Sequence, residues 1–429
     1  MNKETIKYII RDFHEKSLPD VVNRSLDLPL DSGKIVTLVG IRRSGKTFFM
    51  FQTMHQLIKT VSKENIIYLN FEDDRLFPVS LDRMDLILKS FHELYPDKID
   101  EKKYIFFDEI QNVPHWEKYC RRIYDQENVS IFLTGSSSQL LSGNIASALR
   151  GRTITFEIYP LSFIEFLKFQ EVSVKPYSER SRVSVEHAFD HYIEIGGFPE
   201  IVLSNPSIRQ KILLEYTDLL LYKDLVEQYD IKNQYVLKYL LKYCFLNPST
   251  LVSTNKLYHD LKSQGVSVSK NTLYEYLEYI KHAFIIFDTQ IYDRSVRKQI
   301  QNPKKLYVID TGLMSQFVAN PFSDIGHKLE NIIFLYLHQL GYFVYYYRNS
   351  VEIDFVVETA DQLCFINVCY DVKNQVSTLK REIRALEVLK ERFPQARYML
   401  ITRGPVEEDI IPSFIEIKNV VHFLQTPVL

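Results

Sequence analysis

The sequence lacks the features that mark several special classes of protein. Its four cysteines are scattered and form no C-x-x-C pair, which excludes a disulfide framework and a paired-cysteine zinc site. The 52 basic and 54 acidic residues nearly cancel, so the net charge of −2 excludes a general attraction to nucleic acid. The most apolar run, residues 332–347, contains polar side chains and is too polar to span a bilayer. We therefore expect a globular protein with reduced thiols and no membrane segment.

The N-terminal segment and the chain length extend this expectation. The segment MNKETIKYIIRDFHEK is charged throughout and lacks the apolar core of a secretory signal, which predicts a cytoplasmic protein. The 429 residues, 46% of them hydrophobic, suffice for about two to four domains with cores of their own. The chain shows no internal repeat and no low-complexity segment.

The first third of the chain alternates short apolar runs with segments of helical periodicity. Strands are predicted at residues 34–39, 65–71, 103–107, 129–133 and 153–158. Continuous apolar strands separated by helices are typical of a parallel sheet that is covered on both faces. We therefore predict an α/β domain over residues 1–160.

The remaining two thirds change pattern twice. Residues 161–231 are helical apart from a GGFP turn, and we predict a helical lid or connector there. Residues 232–320 combine helices with a predicted strand pair at 283–292 and 305–310, which favours a winged helix. Residues 321–429 return to mixed structure, with strands predicted at 343–347, 352–357, 363–368 and 398–401 and helices at 329–340 and 378–392.

One loop in the first domain has the spacing of a phosphate-binding motif. The run Gly40-Ile-Arg-Arg-Ser-Gly45-Lys46-Thr47 fits G-x-x-x-x-G-K-[ST], follows a predicted strand and opens a helical segment. The glycines let backbone N–H groups face phosphates, and the helix N-terminus adds positive charge. We predict that Lys46 reaches the β- and γ-phosphates of ATP and that Thr47 offers its hydroxyl to Mg²⁺. The predicted nucleotide-binding residues are Gly40, Ile41, Arg42, Arg43, Ser44, Gly45, Lys46, Thr47 and Phe48.

An acidic pair follows another buried strand. The run YIFFDEIQ places Asp108 and Glu109 directly after four apolar residues. Asp108 is predicted to hold Mg²⁺ through water, and Glu109 to polarise the attacking water as a base. An acidic pair after a strand is by itself usually a turn, but the phosphate loop upstream favours the functional interpretation.

Two further pairs are candidates with open alternatives. Thr134 and Ser136, at the tip of the strand after Asp108, are predicted to sense the γ-phosphate, unless FLTGSSS is an ordinary Gly-Ser loop. Arg150 and Arg152 bracket a glycine, and one of them is a candidate arginine finger, in its own subunit or in a neighbour. The alternative is a helix C-terminus, where basic residues favour the helix dipole.

The order of these motifs resembles that of a known family. GIRRSGKT, DEIQNVPHWE, TGSSSQLLSG, LRGRTITFEIYPLSFIEFL and GGFPE are followed by KKLYVIDTGL, GHKLEN, VEIDFVV and INVCYDV. From about residue 25 onward, the chain resembles the prokaryotic AAA-type ATPases that carry a C-terminal domain of unknown function. The resemblance implies an AAA+ core, a helical connector, a winged helix and a restriction-endonuclease-like C-terminal fold. It supports ATP binding without indicating what hydrolysis serves.

The C-terminal part departs from a nuclease at the positions that carry the chemistry. Folds of this kind place an Asp on one strand and E-x-K on the next, which together hold Mg²⁺ and position water. Asp354 takes the first slot and Glu330 lies on the preceding helix, but the E-x-K slot reads Asn367-Val368-Cys369, and Lys373 falls too late. An amide brings no charge to Mg²⁺, so we predict an inactive nuclease-like domain. The alternative for Glu330 and Asp354 is structural, with Asp354 in an internal ion pair.

A basic segment at residues 293–305 is a candidate contact for DNA phosphates, as a wing would provide. Its basic residues are Arg294, Arg297, Lys298, Lys304 and Lys305. The alternative is a solvated loop between two strands. Glu275 and Glu278 on the predicted recognition helix would repel a phosphate backbone, so base-specific readout is not expected.

The leading hypothesis is a Mg-dependent AAA+ ATPase with ATP and Mg²⁺ as cofactors. ATP binding and hydrolysis would move the winged-helix and nuclease-like regions. One alternative is an ATP-gated DNA- or protein-binding adaptor with little turnover. The other, disfavoured, is an active ATP-dependent nuclease. A protein partner of unknown kind and a homo-oligomer are further candidates.

Overall fold

The computed structural model describes residues 2–135, 148–149, 151–317, 325–370, 376–406 and 411–426. The chain divides into two units, Met1–Tyr159 and Pro160–Leu429. The finer division of the second part, at residues 231 and 320, stays a prediction. No helix in the described ranges is both long enough and apolar enough to cross a membrane.

A five-stranded parallel sheet forms the centre of the first unit. Its strands are β1 (Ile35–Val39), β2 (Ile66–Asn70), β3 (Lys103–Asp108), β4 (Val129–Gly135) and β5 (Thr153–Glu157). They lie in the order β2-β3-β4-β1-β5, and every neighbouring pair is parallel. Every residue of β1 and β3 is buried, as expected for a sheet covered on both faces. The predicted α/β fold with the parallel sheet of a P-loop NTPase is confirmed.

Helices and short 3₁₀ segments connect these strands. The helices are α1 (Lys3–Glu15), α2 (Lys46–Leu57), α3 (Asp85–Leu94) and α4 (Trp116–Gln126). The 3₁₀ segments are Lys63–Asn65, Asp74–Leu76, Leu81–Arg83, Pro96–Lys98 and Ile110–Asn112. Apolar side chains of α2 pack on the sheet, whose core includes a stacked pair of rings, Phe106 and Phe132, with centroids 4.5 Å apart. Since the strands are parallel, the carboxyl ends of β1, β3 and β4 meet at one edge.

Helices predominate at the start of the second unit. They are α5 (Phe163–Phe169), α6 (Glu179–Ile195), α7 (Pro199–Leu203), α8 (Pro206–Leu219), α9 (Gln234–Leu246), α10 (Thr254–Ser263) and α11 (Lys270–His282). A π-helix, Leu220–Glu227, continues α8. The side chain of Ser269 accepts a hydrogen bond from the Thr272 N–H at 3.0 Å and caps α11, because this N–H has no partner within the helix.

A small antiparallel sheet follows, and here two predictions need correction. Its strands β6 (Thr250–Val252), β7 (Ile286–Thr289) and β8 (Lys304–Val308) lie in the order β6-β8-β7. The predicted strand at 283–292 is too long, because Phe284 has φ of 57° and its N–H bonds back to Lys281 at the end of α11. Residues 293–305 are not a plain loop, because they contain the helix α12 (Val296–Gln301); their role as a wing stays a prediction.

The chain then forms a second five-stranded sheet. The remaining elements are α13 (Thr311–Ser315), α14 (Ile325–Gln339), β9 (Val344–Arg348), β10 (Glu352–Glu358), β11 (Leu363–Cys369), α15 (Val376–Arg392), β12 (Arg397–Thr402), β13 (Ile415–Asn419) and α16 (Val420–Phe423). The sheet order is β13-β12-β11-β10-β9. The β9-β10 and β10-β11 pairs are antiparallel, whereas β11-β12 and β12-β13 are parallel.

The GGFP turn between α6 and α7 is held by a buried carboxylate. Asp310 accepts hydrogen bonds from the N–H groups of Gly197 at 2.7 Å and Gly312 at 2.8 Å. Burial raises the pKa of Asp310 to about 6. The Gly197 carbonyl in turn accepts from the Leu161 N–H at 2.7 Å, and a Cβ atom on Gly197 would collide with the Leu161 carbonyl oxygen. Only glycine therefore fits at this position.

We predict that Gly197→Ala destabilises the second unit by about 1–3 kcal/mol, because the new methyl group must displace backbone atoms. Thermal unfolding measures the effect. Gly326→Ala is the matched control, since no atom lies within 4 Å of the added methyl at the start of α14; it should leave the midpoint unchanged or raise it. Equal midpoints for Gly197→Ala and the parent chain would contradict the prediction.

Candidate nucleotide-binding site

The phosphate loop leaves β1 at Val39 and enters α2 at Lys46. Gly40 has φ of 144°, and a side chain there would collide with the Ile158 carbonyl oxygen, so the turn requires glycine. Arg43 and Gly45 also have positive φ values, of 68° and 95°. The loop therefore curls back on itself before the helix begins.

The Lys46 side chain lies inside this curl. It is only 4% exposed, and its ammonium donates to the carbonyl oxygens of Gly40 at 3.0 Å and Ile41 at 3.1 Å. Arg24, from the segment before β1, braces the loop by donating to the Ser44 carbonyl at 3.0 Å. A buried positive charge is thus held at the N-terminus of α2, where helix N–H groups also favour anions.

Asp108 is the centre of a hydrogen-bond cluster beside the loop. Its Oδ2 atom accepts from the Thr47 hydroxyl at 2.8 Å and from the Tyr68 hydroxyl at 3.1 Å. Its Oδ1 atom accepts from the Thr134 hydroxyl. Burial raises the pKa of Asp108, while the three hydroxyl donors oppose that shift.

Glu109 lies next to this cluster in an unusual backbone conformation. Its φ is 51°, in the left-handed region that non-glycine residues seldom adopt. Its N–H donates to the Thr134 hydroxyl oxygen at 2.9 Å, and the Gln111 side-chain amide donates to its carboxylate. Positive φ values at non-glycine residues cluster at functional sites, and here the neighbours hold the strained residue in place.

The strand order explains why these residues meet. β4, which carries Thr134, lies between β3, which ends at Asp108, and β1, which leads into the phosphate loop. Sequence reasoning missed Tyr68 and Gln111. The signal for Tyr68 in the sequence was a phenol hydroxyl within the otherwise apolar strand NIIYLNF. The signal for Gln111 was its position two residues after Glu109.

Two of the predicted arginines, Arg42 and Arg152, lie at different places in the first unit. Arg42 pairs with Glu72 at 3.2 Å. Arg152 pairs with Asp125 at 2.8 Å and lies at the amino end of β5, beside the start of β1. The five residues of β1, at roughly 3.3 Å each, separate it from the loop by about 16 Å. The prediction that Arg152 is a finger in its own subunit is therefore wrong, and a role in a neighbouring subunit stays a prediction. Arg150 and Ser136 lie outside the described residues.

Comparison with known proteins identifies two domains and several relatives. Residues 32–167 match an AAA domain, and residues 186–323 match a domain of unknown function. An uncharacterized protein of Methanocaldococcus jannaschii is 37% identical over 374 residues, which cover 86% of this chain and 81% of that relative. The chain belongs to the AAA-type ATPase family that carries a C-terminal domain of unknown function. An uncharacterized protein of Haemophilus influenzae is 31% identical over 347 residues, covering 80% of this chain and 84% of the relative.

Among solved structures, the Walker-type ATPase of Pyrococcus abyssi is similar to this AAA-type family member, with a TM-score of 0.46 and 15% sequence identity. The similarity covers 74% of this chain and 95% of the Pyrococcus abyssi chain. The DNA-bound Orc1 protein of Aeropyrum pernix has a TM-score of 0.31 and 13% identity, over 67% and 87% of the two chains.

In the C-terminal region of this AAA-type protein, the residues of the expected nuclease slot form a buried ion cluster. The ammonium of Lys305, on β8, lies 2.6 Å from Glu330 on α14 and 3.2 Å from Asp354 on β10. Lys305 is only 3% exposed. Burial alone would lower the pKa of Lys305, but the two carboxylates raise it. The internal ion pair considered for Asp354 is therefore present, and the prediction that Lys305 contacts DNA is wrong.

Asn367, in the slot for a carboxylate, has its amide committed within the protein. Its oxygen accepts from the Asp354 N–H at 3.1 Å, and its nitrogen donates to Glu382 at 2.8 Å. Burial and the nearby Asp354 raise the pKa of Glu382 to about 7. In the part of the chain that the structure describes, no group of three His, Cys, Asp or Glu residues is arranged to hold a metal ion. Lys373 is not described.

The rest of the predicted basic surface is divided. Lys298 pairs with Asp293 at 3.3 Å and Lys304 pairs with Asp288 at 3.1 Å, so both charges are partly neutralised. Arg294 and Arg297 are exposed on and beside α12. A smaller basic patch than predicted therefore faces solvent.

We predict that Lys305→Met destabilises the protein by about 3–5 kcal/mol, because it leaves two buried carboxylates without their cation. Urea unfolding at neutral pH measures the loss. Lys304→Met, one residue earlier and solvent-exposed, should cost no more than about 1 kcal/mol. If the two variants unfold at the same urea concentration, the cluster does not stabilise the fold.

Proposed function

We propose that this protein is a Mg-dependent ATPase whose nucleotide is held by the loop from Gly40 to Thr47. The observation that carries the proposal is the 2.8 Å contact between the Thr47 hydroxyl and the Asp108 carboxylate, beside the buried Lys46. A buried cation, a curled backbone and a carboxylate from another strand form a site suited to a polyphosphate with its metal.

The chain's own residues fit this ligand. Lys46 is already buried and donates to two backbone carbonyls, which phosphoryl oxygens can replace without a new burial of charge. Thr47 and Asp108 offer the oxygen ligands that Mg²⁺ prefers. When bound, Mg²⁺ would neutralise charge on the phosphates. Phe48, which is 57% exposed directly after the motif, is a candidate contact for the rest of the nucleotide.

Glu109 is the proposed general base. The Gln111 amide and the Thr134 hydroxyl fix its side chain and its backbone, so its carboxylate can accept a proton from the attacking water without rearrangement of the strand end. Thr134 donates its only hydroxyl hydrogen to Asp108. We therefore propose that Thr134 positions the two acids, rather than sensing the γ-phosphate as a donor.

We expect Glu109→Gln to bind ATP as tightly as the parent protein but to release phosphate about 10²–10⁴-fold more slowly, because the proton acceptor is lost. Lys46→Ala is the paired variant and should lose nucleotide binding itself. A fluorescent ATP analogue measures binding, and a phosphate-release assay measures turnover. Wild-type turnover by Glu109→Gln would remove Glu109 from the base role.

The C-terminal region is proposed to respond to the nucleotide state without cutting nucleic acid. Helices α9 to α11 with the β6-β8-β7 sheet have the composition of a winged helix, and the order α14, β9, β10, β11, α15, β12 suits a restriction-endonuclease-like fold. Asn367 donates to Glu382 and Lys305 pairs with Glu330, and these internal contacts support the absence of nuclease activity. Arg294, Arg297 and Lys298 remain candidate contacts for nucleic acid.

Supercoiled plasmid incubated with the full chain, ATP and either Mg²⁺ or Mn²⁺ should remain intact, because Glu330 and Asp354 share the Lys305 ammonium and Glu382 accepts from the Asn367 amide. Gel electrophoresis detects nicking. Asp354→Ala serves as the specificity control. Cutting by the parent chain that disappears in Asp354→Ala would establish a nuclease and overturn this part of the proposal.

A further inference from the structure

Tyr68 is an unexpected member of the Asp108 cluster. It lies on β2, where it pairs with Phe106 of β3, and its hydroxyl reaches diagonally to Asp108. Phe13 of α1 and Phe51 of α2 flank its ring, with centroid distances of 5.6 Å and 5.3 Å. Two helices therefore fix the ring, and the direction of the hydroxyl follows from that packing.

The hydroxyl of Tyr68 acts as a permanent donor. A phenol ordinarily has a pKa of about 10, well above neutral pH. The phenol therefore keeps its hydrogen under ordinary conditions. Since Asp108 is ionised when it serves a metal, the contact is a charge-assisted hydrogen bond, which is stronger than a neutral one.

The hydrogen bonds that Asp108 accepts from three hydroxyl groups restrict its carboxylate. An ionised carboxylate accepts about four hydrogen bonds, two at each oxygen. Thr47 and Tyr68 take the positions on Oδ2, and Thr134 takes one on Oδ1. Among the described residues, these three hydroxyl donors hold both oxygens of the Asp108 carboxylate. The carboxylate also cannot rotate without breaking several of these bonds together.

We infer that Tyr68 is a positioning residue for the metal, because its hydroxyl bonds to the same Oδ2 atom as Thr47 of the phosphate loop and so helps to fix the orientation of the Asp108 carboxylate. This inference rests on the proposed ATPase function. It also assigns a role to β2, a strand that carries none of the recognised motifs. Outer partners of metal-binding carboxylates typically change metal affinity by about 10–100-fold when they are removed.

The test is Tyr68→Phe, which removes one oxygen atom and keeps the ring between Phe13 and Phe51. Mn²⁺ binding to the full chain, in the presence of a non-hydrolysable ATP analogue, is measured by electron paramagnetic resonance of the free ion. We expect the affinity for Mn²⁺ to fall about 10-fold or more. Binding of the analogue in EDTA should be unchanged, because Lys46 and the loop are intact, and this measurement also shows that the variant is folded.

Steady-state kinetics separate a positioning role from a general loss of structure. In Tyr68→Phe, the half-saturating Mg²⁺ concentration should rise by the same factor as the Mn²⁺ dissociation constant. The rate at saturating Mg²⁺ should stay within about twofold of the parent, because Asp108 and Glu109 remain. A merely structural role would lower the maximal rate and leave the Mg²⁺ dependence unchanged.

Tyr119→Phe is the matched control. Tyr119 is also a buried tyrosine of the first unit, it packs against Phe107, and its hydroxyl has no hydrogen-bond partner among the described residues. This variant should bind Mn²⁺ like the parent. Equal Mn²⁺ affinity in Tyr68→Phe and Tyr119→Phe would overturn the inference and leave the proposed function standing. Failure of the parent chain to bind the analogue at all would overturn both.

Discussion

The carboxylate of Asp108, buried at the end of a central strand, is the constraint on which the N-terminal site depends. A charge in this position is costly unless hydrogen-bond donors surround it. The donors come from α2, β2 and β4, which are distant in the sequence and become neighbours only when the sheet adopts its order. The same hydrogen bonds therefore lower the cost of burying the Asp108 carboxylate and fix its orientation. A fold with any other strand order would have to protonate or expose this group.

The second unit meets the same physical problem in the opposite way. Its buried carboxylates, Glu330 and Asp354, are neutralised by a lysine from a neighbouring sheet, and the nearby Glu382 receives an amide. The three hydroxyl groups that donate to Asp108 are uncharged. Near Asp354 a full positive charge is already present at 3.2 Å, so a second cation would be repelled. Uncharged partners suit a carboxylate that serves a ligand, whereas a charged partner suits one that holds the protein together.

Local patterns were enough to predict the five strands of the first sheet, the phosphate loop and the acidic pair, because each is contained in a short segment. Contacts across the fold were not predictable in this way. Nothing in DRSVRKQIQNPKK shows that Lys305 is buried while Lys304 faces solvent, since the difference arises from the strand on which they alternate. The strand IEIKN was missed because it is too polar to stand out. Tyr68 was missed because its partner is on another strand.

The ion cluster around Lys305 joins the segments of the second unit that lie before and after residue 320. Lys305 belongs to the small sheet, Glu330 to helix α14 and Asp354 to the larger sheet. Asn331 of α14 also bonds to both backbone groups of Val308, at 2.7 Å each. These links join segments on either side of residue 320. A proteolytic cut near that residue would leave each fragment with an unneutralised interior charge, so neither should survive alone. The small sheet and the larger sheet are therefore coupled through buried contacts.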